Sequence, residues 1–464
     1  MTPVTFRERA KLDIGTPKAR ANDVAARRLA SHREEAASQF SGFEEMRDRA
    51  RQIRLHTLGR LDNYLAEFAD SVERLGGKVF FAGDAAEANG YVCDVAARAG
   101  VRSAVKVKSM VTEEIELNHA LEQAGVTVVE TDLGEFIVQL SGDRPSHIIA
   151  PVLHKTRQEI GRLFEQKLGI GYTDEPVELN EIARRHLRPI FLGADMGISG
   201  ANFGVASTGS IVTVTNEGNG RLSTTAPRVH VVVMGMERLV PGPGDLTVML
   251  EVLARSGTGQ RLSAYTNIVT GPRRPGDPDG PDELHVVILD NGRSRVLGSS
   301  ASEILGCIRC GACLNVCPVY RTVGGHAYGG TYAGPVGSVL TPAMAEDGGW
   351  SDLPFASTLC GACRDACPIR IDIPGMLTAL RSELIGESGF GWLRPGLSAY
   401  SRAATNPTLW RAFLAAGSVF GRTVGRTGWV EKLPFHAGNW TERRDLPAPA
   451  AESFHSWWRH NRGT

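Results

Sequence analysis

No stretch of the chain is long and apolar enough to cross a bilayer. The most apolar candidate, Ala412 to Gly421, is closed off by Arg411 and Arg422, well short of the roughly 20 residues a hydrocarbon core requires. Net charge is lacking too: 51 basic residues balance 51 acidic ones, which removes the general basic footprint that holds nucleic acid or anionic membrane. The N-terminus has acidic residues early and no apolar leader, so no signal peptide is expected and a soluble, cytoplasmic protein is. No G-x-G-x-x-G with a ribose-binding acid downstream occurs, so a nicotinamide dinucleotide site finds no support. Cysteine is sparse over most of the length, yet seven of the eight crowd into residues 307 to 367. Crowding of that kind reads as metal ligation in a reducing compartment rather than as disulfides.

The first cysteine run is Cys307-Ile-Arg-Cys310-Gly-Ala-Cys313-Leu-Asn-Val-Cys317-Pro318, or C-x2-C-x2-C-x3-C-P. The second, Cys360-Gly-Ala-Cys363-Arg-Asp-Ala-Cys367-Pro368, repeats it with the leading position filled by Ser357. A loop with a cysteine every third residue wraps three thiolates around one cubane cluster, and the proline after the last cysteine starts a new segment. That turn sends the fourth cysteine to the neighbouring cluster, the crossed wiring of two-cluster ferredoxins. The spacing therefore predicts two 4Fe-4S clusters, one on Cys307, Cys310, Cys313 and Cys367, the other on Cys317, Cys360 and Cys363. Three readings of the missing thiolate stand: Ser357 supplies an oxygen, the fourth iron is open to water or a small molecule, or the cluster is 3Fe-4S. Zinc also uses C-x2-C pairs, but gives no reason for a third cysteine and x3-C-P in both runs. Arg309, Arg364 and Arg370 are expected to raise cluster potentials by stabilising the reduced form. Cys93 reads as a buried core residue.

Residues 1–20 read as a flexible arm, and 22–75 as two or more amphipathic helices whose arginines form a solvated surface paired with Glu34, Glu35, Glu44, Glu45 and Asp48. From Gly76 the texture becomes short apolar strands near 79–82, 103–107, 126–130, 211–215, 230–234 and 285–289, with helices at 86–99 and 111–124 between the first three. That alternation predicts an α/β domain with a parallel sheet over 76–298, interrupted by a Pro/Gly/Asp-rich loop at 271–284. A dicluster ferredoxin-like domain is expected at 299–390, closed by a helix near 376–386. Trp392, Trp410, Trp429, Trp440, Trp457 and Trp458 make 391–464 a Trp-rich tail, expected to pack on its own protein or a partner.

Two glycine-dense stretches stand apart. Gly193 to Gly204, then Thr208-Gly-Ser210, and Thr215-Asn-Glu217-Gly-Asn219-Gly-Arg221 place Asp195, Asn202, Thr208, Glu217 and Asn219 near strand ends, where a small polar ligand would bind; turn chemistry is the competing explanation. Gly324 to Gly337 either packs over the clusters or exposes Tyr328 and Tyr332 for docking, with His326 as a cluster neighbour or a satisfied structural histidine.

Taken together, Val129-Glu-Thr-Asp-Leu-Gly-Glu-Phe, Ser146-His-Ile-Ile-Ala-Pro, His154-Lys-Thr, the 193–221 region, the cysteine runs with Ser357-Thr-Leu-Cys360 and the ending Phe454-His-Ser-Trp-Trp resemble the lactate-utilisation protein B family over nearly the whole length. The resemblance implies a three-layer α/β domain of sugar-isomerase/CoA-transferase type (the LUD domain) with N-terminal helices, joined to a helical dicluster domain. It also implies an iron–sulfur electron-transfer subunit that acts with two other lactate-utilisation subunits to oxidise L-lactate to pyruvate, allowing growth on lactate. Catalytic residues do not carry over. The alternatives are a self-sufficient hydroxy-acid oxidoreductase, with ligand in the α/β domain and an open-cornered cluster, and an iron–sulfur sensor, which zero net charge disfavours.

Overall fold

The structure is a computed structural model that describes residues 4–345, 349–387, 393–424, 428–433, 438–441, 444–450 and 452–462. Its centre is a six-stranded sheet of β1 (Lys78–Ala82), β2 (Ser103–Lys106), β3 (Thr127–Glu130), β4 (Met196–Ser199), β7 (Val229–Gly235) and β10 (Glu283–Leu289), in the order β1-β10-β7-β4-β2-β3. Every pairing in it is parallel. The middle strands are continuous apolar runs because both faces are covered. Val231, Val233, Val287 and Leu289 join one core, while Val232, Met234, Val286 and Ile288 join another. Gly197 on β4 is required by packing: a Cβ there would lie 1.7 Å from the Ser223 carbonyl oxygen, so only glycine lets the helix Asn219–Thr225 rest on the sheet.

A second sheet, absent from the sequence reading, holds β5 (Phe203–Val205), β6 (Ser210–Thr215), β8 (Leu239–Val240) and β9 (Tyr265–Val269) in the order β8-β5-β6-β9. The apolar run at 211–215 thus belongs to a mixed sheet, pairing antiparallel with β5 and β9. The expected helix at 111–124 is two, Met110–Glu114 and Leu117–Gln123, broken at Glu116 by a φ of 52°.

The N-terminal region corrects two expectations. The supposed arm contains helix α1 (Phe6–Asp13), started by a reciprocal capping box between Thr5 and Glu8. It is docked, since Arg9 Nε donates to the Ala327 carbonyl at 2.9 Å and the Phe6 ring lies 5.1 Å from that of Tyr328. Helices α2 (Pro17–Ser38), α3 (Phe43–Leu58) and α4 (Leu61–Arg74) follow. One face of α3 is not solvated. Arg47, Arg51 and Arg54 follow the i, i+4, i+7 spacing of a single stripe, and they bind backbone carbonyls in the cysteine-bearing region. Arg54 is 1% exposed and donates to the carbonyls of Leu239 (2.6 Å), Leu305 (3.1 Å) and Gly306 (3.2 Å), as well as Glu237.

One hydrophobic core runs from the sheet (Val232, Val286) into the cysteine region (Leu314, Tyr320, Leu340, Leu377), so Met1–Glu383 is one compact unit and the expected division at 298/299 falls inside it. The closing helix spans Ile373–Glu387. Tyr328 and Tyr332 are buried, against a docking role, and His326 is tied through Nε2 to the Arg144 carbonyl oxygen at 2.8 Å. Cys93 is half-buried on the rim of a core, not inside it.

The second unit is Leu384–Thr464. Its helices Leu393–Thr405 and Pro407–Val424 share aromatic contacts, with Trp410 stacked on Phe413 at 5.4 Å and edge-on to Tyr400 at 5.9 Å. Trp429, Trp457 and Trp458 remain about half exposed. Trp392 and the Trp440 side chain lie outside the described residues.

Candidate metal centre and adjoining cavity

The two cysteine runs fold into the same loop twice. In the first, Arg309 and Gly311 take φ of 59° and 76°; in the second, Leu359 and Gly361 take 55° and 86°. A left-handed non-glycine residue is uncommon, so its recurrence at matching positions marks a shared backbone. Each loop then enters a one-turn helix, Ala312–Val316 or Ala362–Ala366. The Arg309 N–H donates to Cys307 Sγ at 3.4 Å, and the corresponding Leu359 N–H donates to Ser357 Oγ at 3.1 Å. Ser357 Oγ therefore stands where Cys307 Sγ stands in the other loop.

Cys307, Cys310, Cys313 and Cys367 line one small cavity, walled otherwise by apolar side chains such as Ile308, Ile369 and Ile371. Burial raises the thiol pKa of Cys310, after which Cys367 and Cys307 raise it further; burial, Cys307 and Cys310 do the same to Cys313. Cys367 is pushed up to about 11 by burial and by Cys307. In the other set, burial and then Cys317 push Cys363 up to about 12, and Cys317 is itself raised by burial and by Cys360; Cys363 also raises Cys313, so the two sets are neighbours. Thiols held this way remain neutral unless cations compensate them. Among the described residues no three His, Cys, Asp or Glu side chains close on a single-ion site. A cubane takes thiolates from several sides, and four thiols bordering one cavity meet that need. The residues present fit iron–sulfur clusters.

The surroundings of the two sets differ. Beside the first, Arg309 is buried with its guanidinium 4.4 Å above the Tyr332 ring. Arg293 bridges Glu114 (2.8 Å), which is partly buried, and Glu237 (2.9 Å), which is fully buried. Glu237 is held down to about 2: burial alone would raise it, but Arg293, Arg238 and Arg309 outweigh that. Beside the second, Cys360 is exposed. Arg364 lies 3.7 Å from Asp372 on the surface, and Arg370 is paired with Glu44 and Asp48 at 2.7 Å each. Of the three arginines expected to tune clusters, only Arg309 is buried without full neutralisation.

A cavity of about 540 Å³ opens at the carboxyl ends of β2, β3 and β4 and reaches Arg309 and Cys310. Asn202, Glu217 and Asn219 line it; Asp195 and Thr208 do not. Asp195 sits at the opposite strand ends, accepting from the Arg102 and Ser103 N–H groups at 2.9 and 3.2 Å. Thr208 bonds Ser210 Oγ at 2.8 Å in the second sheet's turn. Both are structural. Glu217 accepts from the Leu133 N–H at 3.2 Å, and its pKa is lifted to about 7 by burial and the nearby Asp132 carboxylate. The sequence reading missed Lys108, Thr213 and Arg238, which also line the cavity. Lys108 lies 3.7 Å from Glu135, and burial drives both toward their neutral forms. The available signal was Lys106-Val107-Lys108, two lysines at the end of an apolar strand.

Family profiles match three consecutive stretches of the chain: a LUD domain at residues 65–289, a 4Fe-4S dicluster domain at 303–371 and a lactate utilisation protein B C-terminal region at 396–462. A crystal structure of a DUF162 family protein from Deinococcus radiodurans covers 49% of this chain and 98% of its own at 13% identity, but its TM-score of 0.27 is too low to bear on the fold. Proteins named lactate utilization protein B are far more similar. That from Bacillus licheniformis is 46% identical over 94% of this chain and 92% of its own, that from Bacillus cytotoxicus 45% over 95% and 93%, and one from Bacillus cereus 44% over 95% and 93%. With identity at this level sustained across nearly the full length of both partners, the chain belongs to the lactate utilization protein B family.

Proposed function

We propose that this protein is an iron–sulfur electron-transfer subunit that works with two other lactate-utilisation subunits in the oxidation of L-lactate to pyruvate, in the cytoplasm. Cys307, Cys310, Cys313 and Cys367 hold one 4Fe-4S cluster. Cys317, Cys360 and Cys363 hold the second, with Ser357 Oγ as its fourth ligand. When bound, the pair supplies one-electron carriers spanning the interior and the Cys360 surface. The observation that carries the reading is the position of Cys310: one residue borders both the four-thiol cavity and the large cavity at the strand ends. Arg309 and Arg238 place positive charge beside Cys307 of the first set, which favours its reduced form. The α/β domain is of the sugar-isomerase/CoA-transferase type, in keeping with a ligand site at the carboxyl ends of its parallel strands.

The test is anaerobic purification with iron and sulfide counting. About eight irons per chain are expected for two cubanes, or about seven if the second lacks its corner. Zinc, or no metal, would remove the redox assignment. A self-sufficient oxidoreductase is the second reading, favoured by the same cavity bordering Cys310; bleaching of the clusters by lactate in the isolated protein would establish it over a relay.

A further inference from the structure

The cavity beside Cys310 gathers buried polar atoms without partners. Lys108 Nζ, Thr213 Oγ1, Asn219 Oδ1, Arg238 Nε, and Arg309 Nε and Nη1 all lack a hydrogen bond, and all belong to residues that line it. An unmade buried hydrogen bond costs about 1–3 kcal/mol, so a site this dense in them is built to be completed by something else. Arg238 and Arg309 are only 5% and 7% exposed. Their nearest carboxylate, Glu237, stands 3.5 and 3.7 Å away, and Glu135 stands 3.7 Å from Lys108, all beyond hydrogen-bonding distance.

Charge selects the class of ligand. Lys108, Arg238 and Arg309 line the cavity with Asp132 and Glu217; burial holds Lys108 and Glu217 toward their neutral forms, which leaves two guanidiniums against the Asp132 carboxylate. One positive charge is left over, which a monocarboxylate matches and a phosphate dianion overshoots. Size narrows it further. At about 30 Å³ per water-sized group, the six non-hydrogen atoms of a three-carbon hydroxy acid fill about a third of about 540 Å³. The remaining wall includes Ile148, Ile149, Val152 and Leu253, a surface for hydrocarbon.

We infer that the cavity is a binding site for 2-hydroxy monocarboxylates whose aliphatic tail extends beyond a methyl group. The carboxylate is taken by Lys108 and Arg309, the hydroxyl faces Glu217, and the tail lies on the isoleucine and leucine wall. The inference deepens the lactate reading and rests on it, while adding that the site does not select for three carbons.

The experiment is anaerobic titration calorimetry on the full, cluster-loaded chain with L-lactate, 2-hydroxybutanoate and 2-hydroxyhexanoate, and with hexanoate and 1,2-hexanediol as controls. Affinity is expected to rise about threefold to fourfold per methylene, with the diol failing to bind and hexanoate binding more weakly than its hydroxy acid. Lys108→Met should weaken every acid at least tenfold. Glu217→Gln should instead narrow the gap between hydroxy acid and hexanoate. Circular dichroism and iron content show whether each variant is folded and loaded. Affinity that falls with chain length, or equal binding by wild type and a folded Lys108→Met, overturns the inference. Iron counts on the same samples report on the cluster reading independently, so its failure is seen separately.

Discussion

The two cysteine loops share a backbone and differ in nearly everything around it. The first is buried, bordered by Arg309 and Arg238, and open to a cavity; the second ends at an exposed Cys360 with serine in the leading place. The comparison teaches that the motif dictates how sulfur is presented, while the packing around it sets charge and access. Those are the protein's means of tuning a cluster.

The hardest way to break the comparison is to remove a thiolate from the buried loop. Cys313→Ala should lose about half of the bound iron and unfold the region around it, read by iron counting and thermal denaturation. Next in size is Arg54→Met, which leaves the carbonyls of Leu239, Leu305 and Gly306 without their buried donor. A loss of about 3–5 kcal/mol is expected in chemical denaturation. The second loop is sharpened from the other side: Ser357→Cys should complete a thiolate set and lower the potential of one cluster only, seen as a shift of one of two waves in a redox titration.

Acid should act through buried histidines. His147 and His230 have pKa values lowered to about 4, first by burial; His147 Nε2 meets Asn315 Oδ1 of the first loop at 3.0 Å and His230 bonds Ser199 at 2.8 Å. With the folded value below the unfolded one near 6.5, the unfolded chain binds protons first. The stabilisation is complete above about pH 6.5 and is lost as pH falls toward about 4, by roughly 2 kcal/mol per histidine at pH 5. Urea midpoints at pH 7 and 5 measure it, and His147→Gln should remove part of the difference. The smallest effect belongs to the surface: Arg364→Gln should change stability by less than about 1 kcal/mol and leave both potentials in place, whereas Arg309→Gln should lower the potential of the buried site.

Periodicity carried the parallel sheet, because a strand covered on both faces leaves an unbroken apolar run such as Val231-Val-Val-Met234. It missed β5 and β8, which have three and two residues, too few for a pattern, and also β4, read as part of a glycine-dense stretch, and β9. It also misjudged α3, since a run of arginines and glutamates looks the same whether the arginines face water or backbone carbonyls. Of the cavity residues, Glu217 and Asn219 were legible from a glycine-rich turn at a strand end. Asp195 and Thr208 carried the same signal, yet their side chains are used up locally on backbone N–H groups and a neighbouring serine.

What the sequence determined by itself is the ligand loop: C-x2-C-x2-C-x3-C-P works through contacts only a few residues apart, so its chemistry can be read before any fold is known. Only the tertiary structure decided which charges stand beside each loop, and that Lys108, Arg238 and Arg309 meet at one cavity wall. Those residues come from a strand end, the turn Met236–Arg238 that leads into the second sheet, and a cysteine loop, and nothing short-range in the chain records that they converge.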